Sequence, residues 1–94
     1  MDELLRIKRS DILALARRHG AYNVRIFGSA ARGEAGPESD IALLVDVGPN
    51  HSAWFPAGLL ADLEDLLGRR VDVVTEKGLH WYIRERVIRE ALPL

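Results

Sequence analysis

The chain contains no cysteine. Disulfides, zinc–thiolate centres and cysteine nucleophiles are therefore excluded. No apolar run approaches the ~20 residues of a membrane-spanning helix. The N-terminus also lacks an apolar signal core, so a soluble cytoplasmic protein is the expectation. Neither sign of charge dominates, with 13 basic against 14 acidic residues and a net charge of -1. That balance argues against a nucleic-acid-binding regulator, which needs a basic field. Internal repeats and low-complexity segments are absent, as is a Gly-rich loop ending in Gly-Lys-Ser/Thr, so the site is no Walker-type P-loop.

What the chain does have is patterning. Its 94 residues suit one domain over 1–94. A domain of that size buries a little over ~60% of its unfolded surface and folds with little stability to spare. Leu4, Leu5, Ile7, Ile12, Leu13, Leu15 and Ala16 recur at helical spacing and predict a helix over 2–19, closed by Gly20. Its basic residues Arg6, Lys8, Arg9, Arg17 and Arg18 fall largely off that stripe, as on a solvated face. Tyr22 to Phe27 alternates as a strand, with Val24 and Ile26 on one side and Arg25 and Phe27 on the other. Gly28 breaks it, and Ser29 is placed to cap a short helix through Ala30, Ala31 and Arg32. Residues 33–39 read as a loop. A second strand runs over 40–47, and its apolar stretch from Ile41 to Val45 suits a strand covered on both faces. Leu59, Leu60, Leu63, Leu66 and Leu67 predict a helix over 53–67, stopped by Gly68. Residues 70–75 form a third strand, and Ile83, Val87, Ile88 and Ala91 mark a last helix over 79–91. The expected class is α/β in the mixed α+β sense: a small mixed sheet of at least three strands with helices packed on it.

Three features along this pattern carry chemistry. A glycine at a strand-to-helix turn lets backbone approach a ligand closely, and the free N–H groups beyond it suit a phosphate. Gly28 and Ser29 occupy such a turn, and Arg32, one turn on, could reach a phosphate oxygen. Alone, a Gly-Ser pair is usually just a turn with a cap. Asp40 follows after ten intervening residues. Side chains at i and i+2 on a strand share a face, ~6.6 Å apart, and two carboxylates there can grip one magnesium. Position 42, however, is Ala42. Asp46 lies too far along the strand to substitute, and Glu38 sits in a loop that fixes metal geometry poorly. Asp72 is the third feature, a lone carboxylate in a Val-rich strand. It either faces solvent, pairs with Arg69 or Arg70, or belongs to a site.

Taken together, FGSAARGEAGPESDIALLVD, LEDLLGRRVDVVTE and YIRERVIREALPL resemble the minimal nucleotidyltransferase (MNT) family of the polymerase β-like superfamily. The resemblance covers nearly the whole chain. It implies a polymerase β-like fold and transfer of AMP from ATP with Mg2+, in a two-metal site in active relatives. It also implies a partner, because family members act as antitoxins to HEPN toxins and can adenylylate a toxin tyrosine. Carried onto this chain, Gly28 and Ser29 hold the triphosphate, Asp40 binds metal, and Asp72 completes the carboxylate set and takes the acceptor proton. The family's second metal-binding aspartate falls at Ala42, which places catalysis in question and leaves the fold untouched.

The remaining candidates are read more plainly. His19, His51 and His80 have no metal-ligand spacing and are expected in surface or capping roles. Trp54, Phe55, Trp81 and Tyr82 are expected mainly in the core, with a partner interface as the other reading, to which residues 91–94 could add. A chain this short leaves no separate acceptor-binding domain, so a partner or a second copy is expected to supply part of the site. An inactive nucleotide- or toxin-binding module is the rival to an active transferase.

Overall fold

The computed structural model describes residues 3–34, 36, 39–51, 53 and 55–94. Its centre is a four-stranded sheet in the order β3-β2-β1-β4. The strands are β1 (Ala21–Phe27), β2 (Ile41–Val47), β3 (Val71–Val74) and β4 (Leu92–Pro93). β1 is antiparallel to both β2 and β4, whereas β2 and β3 are parallel. The expected mixed sheet is thus present, with β2 between β1 and β3.

Helices α1 (Glu3–Ile7), α2 (Arg9–Arg18), α3 (Ala57–Leu67) and α4 (Trp81–Glu90) complete the chain. α2 packs on β1, and α3 on β3 and α2. The sheet face beneath them is apolar because alternate strand residues point to it: Val24 and Ile26, Ile41, Leu43 and Val45, and Val71 and Val73. Against these lie Ile12 and Ala16 of α2 and Leu59, Leu63 and Leu67 of α3. Each fully buried Leu or Ile contributes about 1.5–3 kcal/mol of transfer free energy. Gly68 ends α3 in the left-handed region at φ 65°, its N–H bonded to the Glu64 carbonyl. That geometry is the reason a glycine stops this helix.

Several expectations need correction. The first helix is broken at Lys8 into α1 and α2. α3 starts at Ala57, with Pro56 in the capping position, rather than at 53. The stretch after Ser29 is a series of backbone turns, not a helix: Arg32 N–H bonds to the Gly28 carbonyl, Gly33 to Ala30 and Glu34 to Ser29. The C-terminal residues form β4 on the edge of β1, and Leu94 is buried with its N–H on the Val24 carbonyl. Pro93 is tolerated there because an edge strand leaves one backbone side unpaired. Phe55 packs against the core, as expected, but Trp81 and Tyr82 are 77% and 66% exposed. α4 buries none of its residues, although its apolar spacing predicted a core face. Trp54 and Glu38 lie outside the described residues.

Candidate active site

The second face of the sheet carries the polar chemistry. Register fixes which residues share it. Phe27 pairs with Ala42, and Ala42 pairs with Asp72, so one row crosses three strands. Directly paired residues point to the same side. The next row along holds Arg25, Leu44 and Val74, and Tyr22 pairs with Asp46 beyond it. A bulge between Tyr22 and Arg25, with Asn23 at φ 50°, keeps both of these residues on this face.

The sequence-predicted site residues converge at the Phe27–Ala42–Asp72 end. Gly28 follows directly on Phe27 and adopts φ 73°. A side chain there would meet no atom within 4 Å. The glycine is therefore demanded by the backbone angle, and the turn borders open space. The Ser29, Ala30 and Ala31 N–H groups make no hydrogen bond among the described residues. Arg32 is part-exposed, its Nε donating to Glu34 at 3.0 Å.

Asp40 immediately precedes β2, in phase with Ala42, and is exposed. Its approach loop is held at both ends. The Gly36 N–H donates to Ser39 Oγ, and Arg69 donates to the Gly36 and Ser39 carbonyls, each at 3.0 Å. The Ile41 N–H then joins the Arg70 carbonyl at 2.9 Å. Arg69 was considered as an ion-pair partner for Asp72; it anchors the loop before Asp40 instead. That role was hidden from sequence reasoning because carbonyl acceptors carry no residue signature.

Asp72 is exposed on β3 beside Ala42, one strand away, ~4.8 Å across the sheet. On ideal sheet spacings Asp40 and Asp72 stand roughly 8 Å apart on the diagonal, with position 42 between them. Neither carboxylate has an ion-pair or hydrogen-bond partner among the described residues. Among those residues no group of three or more His, Asp or Glu side chains is placed to hold a metal ion. Among the described residues the donors at this end are two carboxylates, with the Ala42 methyl group between them. Two hard oxygen donors fit one magnesium that also takes phosphate oxygens, and they fall short of a protein-held pair of ions.

The far end of the same face is closed chemically. Arg25, its side chain 11% exposed, donates to Asp46 at 2.8 Å and to Glu76 at 3.1 Å. Asn23 donates to the other Asp46 oxygen at 3.0 Å. This cluster was missed because its members are 21 and 51 residues apart in sequence. The histidines take ordinary roles. His19 Nε2 is 2.7 Å from Asp62, joining α2 to α3, and His51 Nδ1 is 3.1 Å from the Gly48 carbonyl oxygen. The His80 ring packs edge-on against Tyr82. Among the described residues no helix is long and apolar enough to cross a membrane.

Comparisons with known proteins bear on the family and the fold. The family model described as "Nucleotidyltransferase domain" matches residues 11–94. A candidate protein adenylyltransferase of Methanocaldococcus jannaschii is 38% identical, over 92% of this chain and 91% of that one. Protein adenylyltransferase MntA of Thermococcus cleftensis is 36% identical over 98% and 93%. A solved structure described as a candidate minimal nucleotidyltransferase superposes with a TM-score of 0.87 at 52% identity, covering 100% of this chain and 97% of that one. A toxin–antitoxin complex solved with AMP-PNP shares the fold at a TM-score of 0.75 and 21% identity, covering 89% and 69%.

Proposed function

The chain belongs to the nucleotidyltransferase domain family, and from that premise we propose that it is the antitoxin of a toxin–antitoxin pair. Its reaction is transfer of AMP from ATP to a HEPN-type toxin, held back in this chain by Ala42. The observation that carries this reading is the row Phe27–Ala42–Asp72 beside Asp40. It leaves two carboxylates with no partner among the described residues, flanking an apolar position.

The roles follow from the chemistry of each group. Gly28 lets the turn come close to a triphosphate, and the free Ser29, Ala30 and Ala31 N–H groups of that turn, with the Ser29 hydroxyl, would donate to its oxygens as a backbone anion nest does. Arg32 adds positive charge once it releases Glu34. Asp40 and Asp72 would hold Mg2+, which supplies charge neutralisation on the triphosphate. The acceptor hydroxyl oxygen attacks the α-phosphorus, a new P–O bond forms, and pyrophosphate leaves. Asp72, on the acceptor side, takes the hydroxyl proton. ATP docking would survive at Ala42, because Asp40 and the Gly28–Ser29 turn remain to hold Mg-ATP. The acceptor side has no such help. Loss of a ligand there should cost at least ~10–100-fold in rate, about 1.4–2.7 kcal/mol of barrier.

Ala42→Asp is the direct test. Isotopic AMP transfer to the partner toxin is expected to rise by at least ~10-fold over the present chain. No rise would sink the proposed role of position 42. A second readout is independent of turnover. A carboxylate beside Asp72 should lower stability by ~0.5–1 kcal/mol without magnesium, by like-charge repulsion across the strands. Added Mg2+ should return that loss in a thermal melt. The rival reading, a nucleotide- or toxin-binding module without catalysis, is favoured by the incomplete donor set. Calorimetry that finds Mg-ATP binding, with no AMP transfer before or after Ala42→Asp, would select it. A salt-sensitive DNA affinity would instead favour a nucleic-acid-binding regulator.

A further inference from the structure

α4 leaves a face without a partner. Trp81, Arg84, Glu85, Ile88 and Arg89 line a shallow depression of about 470 Å³. Their spacing is i, i+3, i+4, i+7 and i+8, so they form one continuous stripe on the helix. Trp81 is 77% exposed and Ile88 37%. Charges elsewhere on α4 are matched within the helix, Arg86 Nε lying 3.6 Å from Glu90. On the stripe they are not. Arg84 bonds only to the Leu79 carbonyl, at 3.2 Å, and Glu85 and Arg89 have no ion-pair partner among the described residues.

The order of these residues is self-complementary. When a second copy of α4 is laid antiparallel about a twofold axis passing between Arg84 and Glu85, Trp81 faces Ile88 of the other copy. Arg84 then faces Glu85, and the same pairs recur on the far side of the axis. A twofold interface requires this reciprocity, in which i meets j and j meets i. We infer that α4 is a self-association surface, with a second copy of this chain as its occupant. Each apolar anchor meets an apolar anchor, and Arg84 and Glu85 each meet their opposite; Arg89 falls opposite His80, outside this reciprocal set. Ten residues of helix span only about 15 Å, so the contact falls below the standard interface of roughly 1,200–2,000 Å². The dimer therefore forms in a concentration-dependent way, in the micromolar range. This inference does not depend on the proposed transferase reading.

Sedimentation equilibrium of the whole chain tests it. The expected result is a monomer–dimer equilibrium. Trp81→Ala and Glu85→Arg, both at exposed positions, should each raise the dissociation constant by about tenfold or more. Glu85→Arg mixed with Arg84→Glu chains should recover a heterodimer that neither variant forms with itself, because each then faces its opposite charge. Circular dichroism checks that each variant keeps its helices. Trp81→Ala stands as the test if Arg84→Glu, which loses the bond to Leu79, does not fold. A chain that stays monomeric to about 1 mM overturns the proposal. So does a dimer that Trp81→Ala and Glu85→Arg leave unchanged, or a folded charge-exchanged mixture that shows no recovery.

Discussion

The two ends of one sheet face treat the same residue type in opposite ways. At one end Asp46 and Glu76 converge on Arg25, and Asn23 completes the set. At the other, Asp40 and Asp72 stand exposed with no partner among the described residues. A half-buried carboxylate that serves the fold is neutralised, because an unpaired buried charge is costly. On the proposed reading, Asp40 and Asp72 are left for a ligand to neutralise. The contrast separates paired from partnerless charge, among the described residues, within a few residues of the same strands, and substitutions at each end measure what each serves.

The largest expected effect is at the closed end. Arg25→Ala removes the cation shared by Asp46 and Glu76 and should destabilise the fold by about 3 kcal/mol. Part-exposure of the two acids keeps the loss below that of a fully buried pair. A urea unfolding curve reads it, and a loss under 1 kcal/mol would break the comparison. Gly20→Ala comes next, at about 2 kcal/mol. Gly20 sits at φ 84°, and an added Cβ would lie 2.5 Å from the His51 Cα, a backbone atom that cannot swing aside. Thermal melting of the variant checks it. Asp72→Asn has the smallest expected effect on the fold, within about 0.5 kcal/mol of the parent, because no partner loses its match. The same variant should weaken the Mg2+-dependent part of ATP binding in calorimetry. A stability loss as large as that of Arg25→Ala would show that Asp72 serves the fold.

Much of this was legible in the sequence. Alternation in Val24–Phe27 and the apolar run of Ile41–Val45 gave the strands their faces, and Leu44 is fully buried on the second face of β2 as that run implied. Gly28 ends β1 in a turn at φ 73°, as its position implied, but the short helix expected after Ser29 is absent. What escaped was decided by tertiary contact. β4 is two residues long and contains a proline, so propensity could not find it; the edge of β1 supplies its hydrogen bonds. Ile83 and Ile88 have core-like spacing yet lie 36% and 37% exposed, because periodicity shows that a face is apolar and not what covers it. Arg25 reads as an ordinary outward strand residue until the register places Asp46 and Glu76 within its reach.

The row through Phe27, Ala42 and Asp72 has one more consequence, for heredity. Position 42 lies mid-sheet, half-exposed, on a strand whose register is set by neighbours on both sides. Its side chain can change between methyl and carboxylate without moving the backbone. Alanine codons that end in a pyrimidine become aspartate codons by a single base change. If position 42 acts as proposed, a lineage can silence this chemistry and recover it later in one step, while the fold is inherited unchanged.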